Sequence, residues 1–239
     1  MIFRGNVLDV VGHRGWPRRF PDNTLAGMGA AFGVVDMVET DVRRTADGVL
    51  VLSHDPSLLG LVVAESTWAD LAQVDLGGGL RPIRLDEALA AFPDRRFDLE
   101  VKNHPAEPGF EEDGRIGADV AAVARPGDLI TSFWWPTVET VRARRAEVET
   151  GLLVDCLVTL DDAVDVARAG GHAVVAAGRA LLTDGGAAGT VRRARQAGVR
   201  IAAWTVNDPA EAARFAEMGV SAIITDDAVG MTADLERGG

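Results

Sequence analysis

Short β-branched runs recur along the chain, and each is followed by an Ala/Arg/Glu-rich stretch with helical spacing. The pattern predicts strands at Val7–Val11, Met37–Asp41, Phe97–Lys102, Asp128–Ser132, Glu149–Val154, Ala173–Ala176, Arg200–Trp204 and Ala222–Thr225. It predicts helices near Thr24–Ala31, Leu85–Ala91, Arg115–Ala124, Pro136–Ala146, Leu160–Ala169, Ala188–Ala197 and Pro209–Glu217. An extra short strand, Val49–Leu52, follows the turn residues Asp47-Gly48. Boundary chemistry supports several of these elements. Thr159 stands as an N-cap with Asp162 three residues on, Asn207-Asp208-Pro209 opens a helix, and Gly198 and Gly219 sit where C-cap glycines belong.

Eight strands alternating with helices over this length fit an α/β fold of one closed (β/α)8 barrel, the TIM-barrel architecture, occupying residues 1–239. An open doubly wound sheet would use fewer strands. The stretch from Asp55 to Arg81 breaks the alternation and carries Gly77-Gly78-Gly79. It reads as a small insertion, about 55–84, beside the barrel mouth.

Composition narrows the function. A formal net charge of −12 leaves no basic surface for phosphate neutralisation along a nucleic acid, or for an anionic membrane. An anionic substrate would have to be held by a metal or a few well-placed cations. The single cysteine, Cys156, excludes an internal disulfide and reads as inert core filling. With no signal-like N-terminal segment and no apolar run near the roughly 20 residues of a membrane span, the expected setting is cytoplasmic, with no stable membrane association. A monomer or homodimer is expected.

The titratable residues gather at strand ends. His13-Arg14-Gly15 follows the first strand, Glu39-Thr40-Asp41 ends the second, His54-Asp55 follows the extra strand, and Glu100-Val101-Lys102 ends the next. This is the rim where barrel enzymes assemble their sites. Carboxylates at i and i+2 on a strand share a face, here the barrel interior, and two such charges side by side require a cation. Glu39, Asp41 and Glu100, with no Cys or paired His nearby, favour a hard divalent ion, Mg2+ or Ca2+, with Mn2+ also allowed. His13 and His54 remain for proton transfer, while Arg14 and Lys102 suit a phosphate. Together these parts make a phosphoryl-transfer site. His104 and His172 read as hydrogen-bonded structural residues, and Asp226-Asp227 as a helix N-terminus.

These motifs resemble the glycerophosphodiester phosphodiesterase family. Its opening signature appears as His13-Arg14-Gly15 and Pro21-Asp22-Asn23-Thr24, its second as Glu39-Thr40-Asp41, Asp47-Gly48 and His54-Asp55, and its Glu-x-Lys as Glu100-Val101-Lys102. Ser132-Phe133, Trp204-Thr205-Val206-Asn207 and the closing Gly219–Asp226 run also fit, so the similarity spans Val11 to Asp226. The resemblance implies that His13 and His54 are the acid/base pair and that Glu39, Asp41 and Glu100 hold the metal. It implies that Arg14 and Lys102 contact phosphate, and that Phe133 and Trp204 wall the pocket. The implied reaction is hydrolysis of a small glycerophosphodiester to glycerol 3-phosphate and an alcohol, through a cyclic phosphate. The family usually has Glu where Asp22 stands, which puts hydrogen bonds near Asn23 in question. Two other readings are lysophospholipase D-type cleavage, for which Leu58–Val63 is the apolar candidate in the sequence, and a barrel that binds phosphodiesters without turnover.

Overall fold

In a computed structural model describing residues 8–238, the period-two runs become parallel strands. The chain forms β1 (Asp9–His13), α1 (Leu25–Ala31), β2 (Met37–Arg44), β3 (Leu50–Leu52), β4 (Ser57–Leu58), β5 (Leu61–Val62), α2 (Trp68–Leu71) and α3 (Leu85–Ala91). It continues through β6 (Arg96–Val101), α4 (Arg115–Val123), β7 (Leu129–Ser132), α5 (Trp135–Arg144), β8 (Glu149–Val154) and α6 (Leu160–Gly170). The last elements are β9 (Val174–Gly178), α7 (Ala187–Gln196), β10 (Arg200–Trp204), α8 (Pro209–Met218), β11 (Ala222–Thr225) and α9 (Ala228–Gly238).

Strands pair in the order β1-β11-β10-β9-β8-β7-β6-β2, and β1 also pairs with β2, so eight parallel strands close on themselves. With helices between them, this is the (β/α)8 TIM barrel that the alternation implied. The first strand lies later than expected: it runs from Asp9 to His13, and Val7 falls outside the described residues. Partners on both sides hold Gly12 in the sheet and Glu39 of β2 holds His13, although Gly-His-Arg-Gly reads as a turn. The second strand is longer than expected because β3 folds back antiparallel on Val42–Arg44. Helix caps follow local chemistry. The Thr24 hydroxyl accepts from the Gly27 amide, Thr159 from the Asp162 amide, and the Asp208 carboxylate from the Ala210 amide.

Alternation along each strand sorts the core into two layers. Outward residues such as Val38, Phe97, Leu99, Ile130 and Leu152 pack under the helices. Inward residues such as Val11, Met37, Leu129, Val174, Ala202 and Ala222 fill the barrel. Following the inward set toward the C-terminal ends, apolar side chains give way to polar ones. Met37 leads to Glu39 and Asp41, Val11 to His13, and Leu129 to Thr131. The apolar layer therefore forms the floor of a polar site.

Val51 of β3 forms a small separate core with Val63 and Leu71 from the segment between β3 and α3, and Leu58 and Trp68 pack against it. Leu59 and Leu61 at the β4–β5 turn stay exposed. Among the described residues, no helix is long and apolar enough to cross a membrane.

Candidate active site

The His-Arg-Gly turn is shaped by sterics. Gly15 has φ +93°, and an added Cβ would lie 2.7 Å from the Gly27 carbonyl carbon in α1, so only glycine lets the turn back onto that helix. The turn leaves His13 at the mouth of the barrel and curls Arg14 over the carboxylates of β2. The Arg14 amide donates to Glu39 Oε2 at 3.0 Å, and its guanidinium lies 3.2 Å from Asp41 Oδ2. Asp22, the departure from the family pattern, pairs with Arg14 at 2.9 Å. It thus orients the Arg14 guanidinium. Asn23, in the left-handed region at φ 58°, donates to Asp41 Oδ2 at 2.9 Å.

Glu39, Asp41 and Glu100 converge as the i, i+2 argument required: all three are buried, and one oxygen of each lies within 4.8 Å of the others. Adjacent register brings them together, since Asp41 pairs with Glu100 and Glu39 with Asp98. Oxygens sharing one Mg2+ or Ca2+ at about 2.0–2.6 Å span no more than about 5 Å, so the separation suits a single ion. Glu39 Oε1 is buried and accepts no hydrogen bond, an arrangement costly for a carboxylate oxygen unless a cation faces it, whereas Asp41 Oδ1, also without a hydrogen bond, faces the Lys102 ammonium. Lys102 Nζ lies 2.7 Å from Glu100 Oε1 and 3.3 Å from Asp41 Oδ1.

Charge accounting agrees. Four carboxyl groups, including the unforeseen Asp98, face two permanently cationic ones, Arg14 and Lys102. Burial would raise Asp41, but Lys102 and Arg14 outweigh it and hold its carboxyl below the ordinary range. Burial, then the neighbouring Asp41, Glu100 and Asp98, push Glu39 well above it. Burial also pushes Asp98 up to about 7, against the bond it accepts from the Thr131 hydroxyl at 2.8 Å. Burial and mutual repulsion thus disfavour the charged forms of Glu39 and Asp98, and a divalent ion would supply the positive charge that favours them.

The histidines are held differently from one another. His13 Nδ1 lies 2.6 Å from Asp226 Oδ1, and its Nε2 lies 3.8 Å from Glu39 Oε2. The bond from His13 holds Asp226 below the ordinary carboxylate range, so Asp226 is the acceptor and Nδ1 the donor. Asn207 fixes the other oxygen of Asp226 at 2.7 Å. His54 Nδ1 pairs with Asp55 Oδ1 at 2.8 Å. In both residues Nε2 is left for proton exchange.

Asp226 therefore corrects the sequence reading. Asp227 does serve the start of α9, accepting from the Gly230 amide at 3.0 Å, whereas Asp226 anchors His13. The signal was closure itself, since the end of β11 must lie beside the end of β1. Cys156 is a second correction: it is exposed in the turn after β8 and fills no core. His172 is buried between Thr150 and Glu139, away from the site, and His104 accepts a loop amide from Ala106.

His13, Arg14, Glu39, His54, Glu100, Lys102, Phe133 and Trp204 all line one pocket of about 110 Å³ at the barrel mouth. Phe133 and Trp204 meet edge to face with centroids 5.5 Å apart, and the Trp204 indole is fixed by its bond to the Ala176 carbonyl. A groove of about 410 Å³ adjoins it, sharing Glu100, Lys102, Phe133 and Leu153, and adds Trp134, Trp135, Leu157 and Val158. This groove offers apolar surface beside the site from residues outside the Leu58–Val63 segment.

The model of the Glycerophosphoryl diester phosphodiesterase family matches residues 13–229. A probable glycerophosphodiester phosphodiesterase 2 of Mycobacterium tuberculosis is 29% identical, over 90% of this chain and 85% of its own length. A glycerophosphodiester phosphodiesterase of Caldanaerobacter subterraneus subsp. tengcongensis is 26% identical over 96% of this chain and 98% of its own. Among solved structures, a putative glycerophosphoryl diester phosphodiesterase from Silicibacter pomeroyi superposes with TM-score 0.84 at 25% identity, covering 98% of this chain and 96% of that one. An Oleispira antarctica phosphodiesterase, solved with sn-glycerol-3-phosphate, shares the fold with TM-score 0.82 at 22% identity, over 95% of this chain and 96% of that one.

Proposed function

The chain belongs to the glycerophosphoryl diester phosphodiesterase family, and from that premise we propose that it hydrolyses glycerophosphodiesters to glycerol 3-phosphate and an alcohol, using one divalent cation and two histidines. The observation that carries this reading is the buried triad Glu39, Asp41 and Glu100, whose Glu39 Oε1 accepts no hydrogen bond and whose Glu39 and Glu100 line the same pocket as two carboxylate-anchored imidazoles. Glu39, Asp41 and Glu100 would hold Mg2+ or Ca2+, with Mn2+ also suited to oxygen ligands. When bound, the ion neutralises charge developing on the phosphoryl oxygens.

The chain's own groups do the rest. Arg14, braced by Asp22 and Asp41, and Lys102 orient the phosphate. One histidine takes the proton of the glycerol 2-hydroxyl through Nε2, and that oxygen attacks phosphorus. The bond from phosphorus to the alcohol breaks, and the other histidine delivers its proton to the departing oxygen. Water then opens the cyclic phosphate to glycerol 3-phosphate, with the two imidazoles in exchanged roles. Phe133 and Trp204 close one wall and limit access of bulk water. The cytoplasm is the setting we propose, with the protein as monomer or homodimer.

The adjoining groove of Phe133, Trp134, Trp135 and Leu157 supports a second reading, in which the enzyme cleaves lysophospholipids and the groove takes acyl carbon. Turnover of glycerophosphocholine and of lysophosphatidylcholine, measured side by side below micelle-forming concentrations, separates the two. The proposed activity predicts the higher kcat/KM for glycerophosphocholine. A higher value for the lysolipid would transfer the assignment to lysophospholipase D-type cleavage.

A further inference from the structure

His13 and His54 are supported by different means. His13 is the last residue of β1 and pairs with Glu39 of β2, so the sheet itself sets its direction. His54 lies just beyond the last residue of β3, in a bend with no helix or strand pairing of its own. The Ser53 amide donates to the Asp41 carbonyl at 3.0 Å, but the His54 peptide needs support of its own if the imidazole is to hold a reacting position.

The geometry points to Arg43 as the positioning residue for His54. Arg43 is the next same-face position on β2 after Glu39 and Asp41, and although charged it is only 5% exposed. Its Nε donates to the Ser53 carbonyl at 3.2 Å and to the His54 carbonyl at 3.1 Å, and Nη2 donates to the His54 carbonyl at 2.6 Å. The remaining arm, Nη1, pairs with Glu107 Oε2 at 2.8 Å. One planar fork thus grips two successive carbonyls of the His54 bend and ties them to the loop that follows Lys102. That loop is itself pinned, since Asn103 both donates to the Glu111 carbonyl and accepts from the Glu111 amide at 2.8 Å. Burying a guanidinium is costly unless every arm is satisfied. Here the arms are spent on the one acid/base residue that the barrel does not hold directly. The inference rests on the proposed role of His54, through which Arg43 acts; Arg43 itself need touch no substrate.

A kinetic cycle tests it, using the full chain with its divalent ion. Arg43→Met is expected to lower kcat about 10- to 100-fold, with KM changed by less than about threefold, the signature of a misplaced acid/base group. Arg43→Lys, which keeps one donor and the pairing with Glu107, is expected to recover part of the loss. In a His54→Ala background the same Arg43→Met change is expected to cost less than about twofold, because the group it positions is gone. Glu107→Gln, at a partly exposed side chain, repeats the comparison more gently should Arg43→Met fail to fold. An equal proportional loss with and without His54, or unchanged kcat in Arg43→Met, would overturn the inference. Wild-type turnover by His54→Ala alone marks a different failure, that of the role given to His54.

Discussion

His13→Ala and His54→Ala are each expected to lower kcat by at least about 10²-fold, equivalent to about 2.7 kcal/mol of lost transition-state stabilisation. The size follows from the role, since each imidazole would move a proton at phosphorus that water moves poorly. The fold should survive both changes. His54 has a side chain 40% exposed, and its partner Asp55 is more exposed still. Removing His13 leaves Asp226 half-buried but still bonded by Asn207. Thermal melting within about 0.5 kcal/mol of wild type for His54→Ala would show that the kinetic loss is chemical. Either variant turning over at the wild-type rate would remove that residue from the mechanism.

Replacing the 2-hydroxyl of glycerophosphocholine by hydrogen is expected to abolish turnover while leaving the analogue a competitive inhibitor. If the substrate's own hydroxyl is the nucleophile, it carries an effective molarity of about 10⁵ M or more over an intermolecular attack. A direct attack by water gains from that hydroxyl only its binding. Two imidazoles in one pocket, each anchored by a carboxylate through Nδ1, suit a base and an acid acting on opposite bonds to phosphorus. Rapid quench of the normal substrate should reveal glycerol 1,2-cyclic phosphate, and added cyclic phosphate should itself be hydrolysed. Brisk cleavage of the deoxy analogue would replace this route with direct hydrolysis.

Much of this site was legible because strand geometry is periodic. Glu39 with Asp41, and Glu100 with Lys102, had to share a face, and adjacent strands then brought the pairs together. Residues whose role depends on closure were not legible in the same way. Asp226 meets His13 across 213 positions of sequence, and only the pairing of the last strand with the first makes them neighbours. Asp98 is not legible because its inward direction matters only once the four carboxyl groups share one interior. Arg43 looks like an ordinary strand residue until the fold-back of β3 presents two carbonyls to it. The boundary errors have the same origin: neighbours held Gly12-His13 and Val42–Arg44 extended where local sequence alone favoured ending the strand. Cys156 differs in the opposite direction, because the short apolar run after β8 forms a surface turn.

The claim that Glu39, Asp41 and Glu100 hold a cation for glycerophosphodiester hydrolysis is tested most directly by chelation. Glycerol 3-phosphate release from glycerophosphocholine and the melting temperature would be followed on one preparation, before and after exhaustive treatment with EDTA. Mg2+, Ca2+ or Mn2+ would then be added back. Because the ion compensates carboxylates buried only in the folded state, release should cease and the melting temperature fall together. Both should return with the ion, whose binding stabilises the fold by about 2.7 kcal/mol at a hundred times its Kd. Full release of glycerol 3-phosphate from thoroughly chelated protein, with an unchanged melting temperature, would contradict the assignment.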